Sequence, residues 1–411
     1  MKKLVLLMAL TALTVSLMAS AAWAGKPVVH GIVSQGYLKS SEYNYLIPSE
    51  QGSFAFNEVL LNVSATVSGN LRVGAQMMAR NYGSQGNEDM VLDWAFGDYR
   101  FSDAFGVRIG KVKTPYGLYN QTRDVDMVRT AILLPQSVYT ERYRDVMNGF
   151  EGIGIYGNLS VGSSSVEYEG ILGTVDMERT SFFENLILNP AFTQIYGSPL
   201  PTFDFRTEAK SVYGGALRWN TPLEGLRVGG TVMAAEMDGS GLQVAPFGAF
   251  RPDVSLKVNT WYVLSAEYTR DALMLAFEFN RLDADILLSG VTVPTGMAPP
   301  APATVEIEVE DGDKRGGWYG MGTYQVSDKV QLGGYYAKYY PDYNVREGEG
   351  FDYYQNDLAL TLRYDVTDYW LFKLEGHFMS GTGDVQTGDN PGVDRTEENW
   401  NLFGVKSTFY F

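Results

Sequence analysis

The stretch DLALTLRYDV, Asp357 to Val366, alternates two kinds of side chain. Leu358, Leu360, Leu362, Tyr364 and Val366 fall on one face; Asp357, Ala359, Thr361, Arg363 and Asp365 fall on the other. A repeat of two marks an extended strand with one apolar face. The pattern returns along the chain. Val59, Leu61, Val63, Ala65 and Val67 alternate with Glu58, Leu60, Asn62, Ser64 and Thr66. Leu273, Leu275, Phe277 and Phe279 alternate with Met274, Ala276, Glu278 and Asn280. Trp370, Phe372, Leu374, Gly376 and Phe378 alternate with Leu371, Lys373, Glu375 and His377. Each segment runs for about 9–13 residues, the length a tilted strand needs to cross a bilayer. Strands of soluble sandwiches are nearer about 5–6 residues.

The connections carry further weight. Tight turns at Ser68–Asn70, Ser102–Ala104, Val161–Ser163, Thr221–Gly225, Thr269–Ala272, Val326–Lys329 and Val366–Asp368 alternate with longer connections. The longer ones span 39–53, 83–89, 113–148, 174–208, 239–253, 284–313, 341–350 and 381–397. Transmembrane barrels show this asymmetry, with short turns at one end and long loops at the other. The pattern predicts an all-β fold: one domain, residues 25–411, forming a 16-stranded antiparallel transmembrane β-barrel. In Val91–Phe101 the apolar phase changes, since Leu92, Trp94 and Phe96 share a face but Tyr99 and Phe101 take the other; a bulge near Gly97 would account for it, and so would a wall that faces another protomer.

The ends agree. Lys2 and Lys3 precede an apolar run, Leu4–Leu17, and then Ala22-Trp23-Ala24, which reads as a signal peptide, residues 1–24, cleaved after Ala24. The chain closes on Phe411, Phe409, Ser407, Val405 and Phe403, opposed by Tyr410, Thr408, Lys406 and Gly404. Such a last strand would end in an aromatic girdle and pair with the first, because an open edge in lipid leaves backbone groups unsatisfied. Tyr 27, Phe 21, Gly 45 and Cys 0 fit an exported barrel held by its sheet rather than by disulfides. Mean hydropathy is −0.13. Lys+Arg 32 against Asp+Glu 48 gives −16, and removal of Lys2 and Lys3 leaves 30 against 48, or −18, which argues against a nucleic-acid partner.

The 113–148 connection is too long, and at Ala131–Pro135 too apolar, for a solvated surface loop, and it is expected to fold inward as a constriction, the alternative being a loop that caps the mouth or packs on a neighbouring protomer. It begins within the run GKVKTPYGLYNQTRDV, Gly110–Val125. With its place after the fifth strand and the terminal Phe411, this run resembles bacterial outer-membrane porins, and among them the branch that includes the phosphate-selective porins. The resemblance implies a homotrimer in the outer membrane of a Gram-negative bacterium, surrounded by lipid and lipopolysaccharide. It also implies a third loop that narrows the channel, arginines and lysines along the pore, and passive passage of small hydrophilic solutes and ions with a preference for anions. The ending resembles the C-terminal signal read by the outer-membrane assembly machinery.

Candidate pore-lining and constriction residues are Arg72, Arg80 and Arg108 on the wall, Lys111 and Lys113 at the loop's root, and Arg123, Arg129, Arg142 and Arg144 within the loop, with Glu167, Glu169 and Lys373 on later strands. Lys111 has an outward phase. Inward acids such as Glu58, Glu267, Glu278, Asp357 and Glu375 accompany them. The wall charges therefore either set a field across the lumen or neutralise one another in salt bridges that hold the loop. A second reading is a surface adhesion or receptor barrel acting through its outer loops.

Other motifs are weaker. Gly152–Gly157 matches G-x-G-x-x-G but lies inside a strand, so it lacks the turn and helix of a nucleotide site; glycines there would let the loop approach the wall. His30 and His377 are too few for a metal site or a hydrolase, and nothing requires a cofactor or makes the chain an enzyme. The acidic run Glu306, Glu308, Glu310, Asp311 and Asp313 reads as a solvated outer loop beside a stiff arm at Pro299–Pro302.

Overall fold

A computed structural model describes residues 25–83, 88–144, 148–175, 188, 192, 202–245, 248–294, 304–345, 350–386 and 388–411. The leader, Asp145 in the third loop and the arm at 299–302 lie outside the described residues. The strands are β1 (Val28–Ser40), β2 (Phe56–Thr66), β3 (Leu71–Tyr82), β4 (Val91–Ser102), β5 (Phe105–Lys113) and β6 (Gly149–Val161). Then come β7 (Ser164–Thr174), β8 (Thr202–Asn220), β9 (Leu226–Ala245), β10 (Gly248–Phe250), β11 (Asp253–Arg270) and β12 (Leu273–Pro294). The last are β13 (Thr304–Asp313), β14 (Gly316–Ser327), β15 (Val330–Tyr340), β16 (Gln355–Thr367), β17 (Trp370–Gly381) and β18 (Asn399–Tyr410).

Neighbours pair antiparallel around a complete circuit. β10 pairs only with β9, and β13 only with the far end of β12, while β9 pairs on to β11 and β12 on to β14. Without β10 and β13, sixteen of the eighteen strands make the wall. The seam runs from Ile32 opposite Tyr410 to Ser40 opposite Leu402, and backbone bonds of 3.1 Å join Gly31 and Phe411 in both directions. Every wall strand then has two partners, which satisfies the backbone without water.

The alternation read from the sequence is the alternation of burial. In β18, Trp400, Leu402, Gly404, Lys406 and Thr408 are buried, while Phe403 and Phe409 are about half exposed on the outside (48% and 50%). In β16, Leu358 and Leu360 point out, and Asp357, Ala359 and Thr361 point in. The inside is not uniformly polar, however. Towards the long-loop end, Trp400, Leu402, Met379 and Phe56 pack with Tyr43, Tyr45, Leu46 and Ile47 of the first long loop and with Ile132 and Leu133 of the third.

Two expectations are corrected. The phase change in β4 does not come from Gly97. The β3–β4 register shifts between Gln76, opposite Trp94, and Met77, opposite Leu92, so Asp93 is the extra residue. Its carboxylate accepts from Gln76 Nε2 at 2.7 Å and from Asn148 Nδ2, and this turns the strand so that Phe96 faces inward beside Arg108. Gly110 of β5 has φ +132, and a Cβ there would lie 2.3 Å from the carbonyl oxygen of Ala95, so the bulged strand closes on a glycine.

The second correction concerns length. β8, β9, β11 and β12 have 19, 20, 18 and 22 residues, against 12 or 13 in β18 and β1, so part of the connections read as loops is sheet. The acidic run is strand β13, not a free loop: Ile307 and Val309 pack on the core, and Glu306, Glu308 and Glu310 are exposed on the other face.

Candidate functional site

The connection from Lys113 to Asn148 leaves β5 as a compact chain with 3-10 turns at Asn120–Thr122, Asp126–Val128 and Glu141–Tyr143. Pro115 and Gly117 start it. Gly117 has φ +58, and a Cβ would meet the hydroxyl of Tyr139 at 2.4 Å and Glu278 Oε1 at 2.8 Å, so only glycine fits. Ala131, Leu134, Val138 and Tyr139 are buried with inward residues of the wall.

Strands β12, β17 and β18 are among those that seize the connection. Glu278 on β12 is fully buried and accepts from the backbone N–H of Leu118 (2.9 Å), Ser265 Oγ (2.6 Å), the Tyr319 hydroxyl (2.6 Å) and the Tyr139 hydroxyl. The Tyr139 oxygen in turn accepts from the N–H groups of Leu118 and Tyr119 at 2.8 and 3.0 Å. On β17, Glu375 accepts from two successive N–H groups, Ile132 at 2.7 Å and Leu133 at 2.9 Å. His377 stands between Glu375 and Asp357, with ring nitrogens 2.9 Å from each. On β18, Lys406 Nζ and Thr408 Oγ1 both reach Asp126 at 2.7 Å.

A second cluster lies near β2 and β3. Arg144 donates to Glu58 (2.8 Å), to Glu141 (3.1 Å) and to Asp124. Glu141 also takes Arg123 at 2.9 Å and Arg80 at 3.3 Å. Burial opposes ionisation of Glu141, but Arg123, Arg144 and Arg80 outweigh it and hold the carboxyl well below its usual range. Asp124 is depressed in the same way, burial being overcome by Lys113 and Arg144. Burial would lower Arg144, yet the surrounding carboxylates raise it further, so it stays charged.

The structure therefore separates the candidates into two groups. Arg80, Arg123, Arg142, Arg144 and Lys373 are buried and paired. Arg142 binds Asp384 of the last long loop at 2.7 Å, and Lys373 donates to the backbone oxygens of Asp126 (2.9 Å) and Ala131 (3.1 Å). Arg129 holds Asp126 at 3.1 Å, and Lys113 pairs with Asp124. These side chains hold the connection in place.

The second group faces water near the short-turn end. Arg72 is exposed and donates to Ser64 Oγ at 3.3 Å. Arg108 lies over the Tyr156 ring, 4.2 Å from its centroid, and bridges Asp98 (3.4 Å) and Glu169 (3.5 Å). Arg218 donates to Glu169 at 2.6 Å, Arg227 to Glu267 at 3.3 Å and Arg363 to Asp365 at 2.8 Å. Glu167 accepts from Asn220 at 2.9 Å. Lys111 stands on β5 opposite Glu151, outside this belt. The belt meets the connection through Gln121 on Glu169 (2.9 Å) and Arg218 on the Gly117 carbonyl (3.3 Å).

The glycine run 152–157 lies on β6, flanked by β5 and β7. A Cβ at Gly152 would strike the carbonyl oxygen of Leu172 at 2.2 Å, so that glycine serves its neighbouring strand rather than the connection. Among the described residues no group of three or more His, Cys, Asp or Glu could hold a metal ion.

No family model matches the chain, and no curated protein matches it in sequence. Solved structures do match it in shape. One is OmpT, an outer membrane protein of Vibrio cholerae in a trimer form, at 13% identity and TM-score 0.52, covering 94% of this chain and 100% of that one. The fold is that of the outer-membrane barrels. The anion-selective porin of Comamonas acidovorans matches at 10% identity and TM-score 0.50 over 94% of this chain and 99% of its own. The outer membrane channel DcaP of Acinetobacter baumannii matches at 8% identity and TM-score 0.51 over 95% and 99%.

Proposed function

We propose that the protein is an outer-membrane porin of a Gram-negative bacterium: a passive channel for small hydrophilic solutes and ions, narrowed by the connection 113–148. The observation that carries this is the anchoring of that connection from Glu278 on β12 to Asp126 against β18, through the inward face of a closed barrel. The loop so held sieves, and the belt of Arg72, Arg108, Arg218, Arg227, Glu169 and Glu267 sets ion preference at the turn end, which faces the periplasm. Pairing within the belt keeps an anion preference small, because each bridged arginine is largely cancelled by its carboxylate. Homotrimers are part of the proposal, supported by the trimer form of the OmpT neighbour.

Planar-bilayer conductance of the purified mature chain tests it. A stable open current with a reversal potential displaced towards the anion under a salt gradient is the expected result. A cation-directed potential removes the anion preference, and absence of current removes the channel. The second reading, a surface receptor barrel, is favoured by the strands of 18–22 residues that outgrow a bilayer, and a barrel with negligible conductance would support it. Recognition of the Phe411 ring by the assembly machinery predicts that Phe411→Ala, which keeps the backbone bonds to Gly31, lowers the folded yield in cells while refolding in detergent is unaffected.

A further inference from the structure

The outward face of β12 changes character along its length. Leu275 and Phe277 are exposed and apolar, Phe279 is half-buried, Arg281 is exposed, and Asp283 and Asp285 follow. The change occurs where a barrel wall leaves the hydrocarbon for the polar boundary. A groove of about 410 Å³ opens at that level. Phe279 and Arg281 of β12, Trp318 of β14, and Tyr340, Tyr343 and Val345 line it. Gly316 lies opposite both Arg281 and Tyr340, so its missing side chain makes the floor.

Arg281 is held by rings rather than by acids. Its guanidinium lies 4.3 Å from the Tyr343 centroid and 5.5 Å from that of Phe279. No carboxylate pairs with it among the described residues, in contrast to Arg108, Arg218, Arg227 and Arg363 inside. Rings cover the face of the guanidinium and leave its N–H edges for a planar fork onto an oxyanion. Two pairs closer to the apolar band, Lys338 lies opposite Trp318, with its amine 5.3 Å from the Tyr340 ring. Two nearby acids are already engaged: Asp313 accepts from Arg315 at 2.6 Å and Asp342 from the N–H of Asn344 at 2.8 Å. Asp283 lies two residues beyond Arg281 on the same face of β12.

We propose that this groove binds the phosphorylated headgroup of an outer-leaflet glycolipid. Arg281 takes the phosphate, the aromatic walls take the sugar, and an acyl chain runs down Phe279, Phe277 and Leu275. Cation, aromatic lining and apolar continuation together select an anionic amphiphile over a soluble anion. The site rests on the outer-membrane reading of the barrel.

The test is titration of the full mature chain, in uncharged detergent, with diphosphoryl lipid A and with its dephosphorylated form, read by native mass spectrometry. Wild type is expected to bind the phosphorylated form about tenfold more tightly, the worth of a charge-assisted hydrogen bond. Arg281→Gln erases that difference, Asp283→Asn enlarges it, and Arg251→Gln, an exposed arginine remote from the groove, leaves it unchanged. Circular dichroism confirms that each variant keeps its sheet. Equal binding of the two lipids by wild type, or an unchanged preference in Arg281→Gln, overturns the site. Conductance of the same preparation separates the two ideas: a conducting barrel indifferent to the phosphate loses only this site, and a silent barrel that discriminates loses only the channel.

Discussion

Arg144 is 2% exposed and serves three carboxylates at once, Glu58, Glu141 and Asp124. A buried charge is tolerated only while it is matched, so Arg144→Ala should cost about 3–5 kcal/mol, because three anions lose a shared partner. Urea unfolding reads the loss, and a noisier single-channel current reads the released loop. Arg270, largely exposed beside Asp271, is the contrast: its alanine variant should stay within about 0.5 kcal/mol of wild type. The same cluster sets an acid limit. Asp124 and Glu141 have depressed pKa values when folded, so the unfolded chain binds their protons more readily. Their contribution is complete above the unfolded carboxylate value of about 4 and drains away as pH falls through it towards the folded values. The urea midpoint should therefore change little from neutral pH to about 5 and fall steeply below about 4; a midpoint unchanged at pH 3 would rule the cluster out as a support. Inward placement of Arg80, Arg108, Glu58 and Lys373 was legible from the two-residue repeat. Their partners were not, because alternation orders neighbours along one strand and says nothing of which loop residue crosses to meet them. Asp126 and Thr408 are 282 residues apart.

At the scale of elements, most strands were legible because one face meets apolar surroundings. The errors lie where that contrast fails. β9 continues through Gly239, Ser240 and Gly241, residues that signal turns, yet Gly239 and Ser240 pair there with β8 and β11. β13 alternates as well as any strand, but its three glutamates read as solvated loop until Ile307 and Val309 are seen against the core. The bulge was felt as a change of phase and misplaced, because glycine is the usual suspect and the cause is a carboxylate with inward partners. Two variants decide the matter. Gly110→Ala forces a side chain onto the Ala95 carbonyl at φ +132 and should cost about 1–3 kcal/mol in unfolding. Gly97→Ala has open space, with nothing within 4 Å of the added carbon, and should be close to neutral. A costly Gly97→Ala would return the bulge to that glycine.

For the whole molecule, closure is the feature with the widest reach. The connection 113–148 is fastened to strands on either side of β1: Asp126 holds Lys406 and Thr408 of the last strand, Arg144 holds Glu58 of the second, and Glu58 itself takes Lys406 at 2.8 Å. This arrangement has a direction in time. In the inward fold proposed for it, the connection lies beside β18 and β2, where it can receive the final strand as that strand docks. Residues 113–144 precede β18 in the chain, and the carboxylates of Asp126 and Glu58 are in place to receive Lys406 as that strand arrives. On the proposed inward fold the loop would act as a jig that sets the register of the last joint. Lys406→Met should slow the final step of refolding in detergent several-fold and leave earlier strand formation unchanged, as followed by amide exchange of β18 against β8 and β9. Equal rates would mean that the seam finds its register unaided.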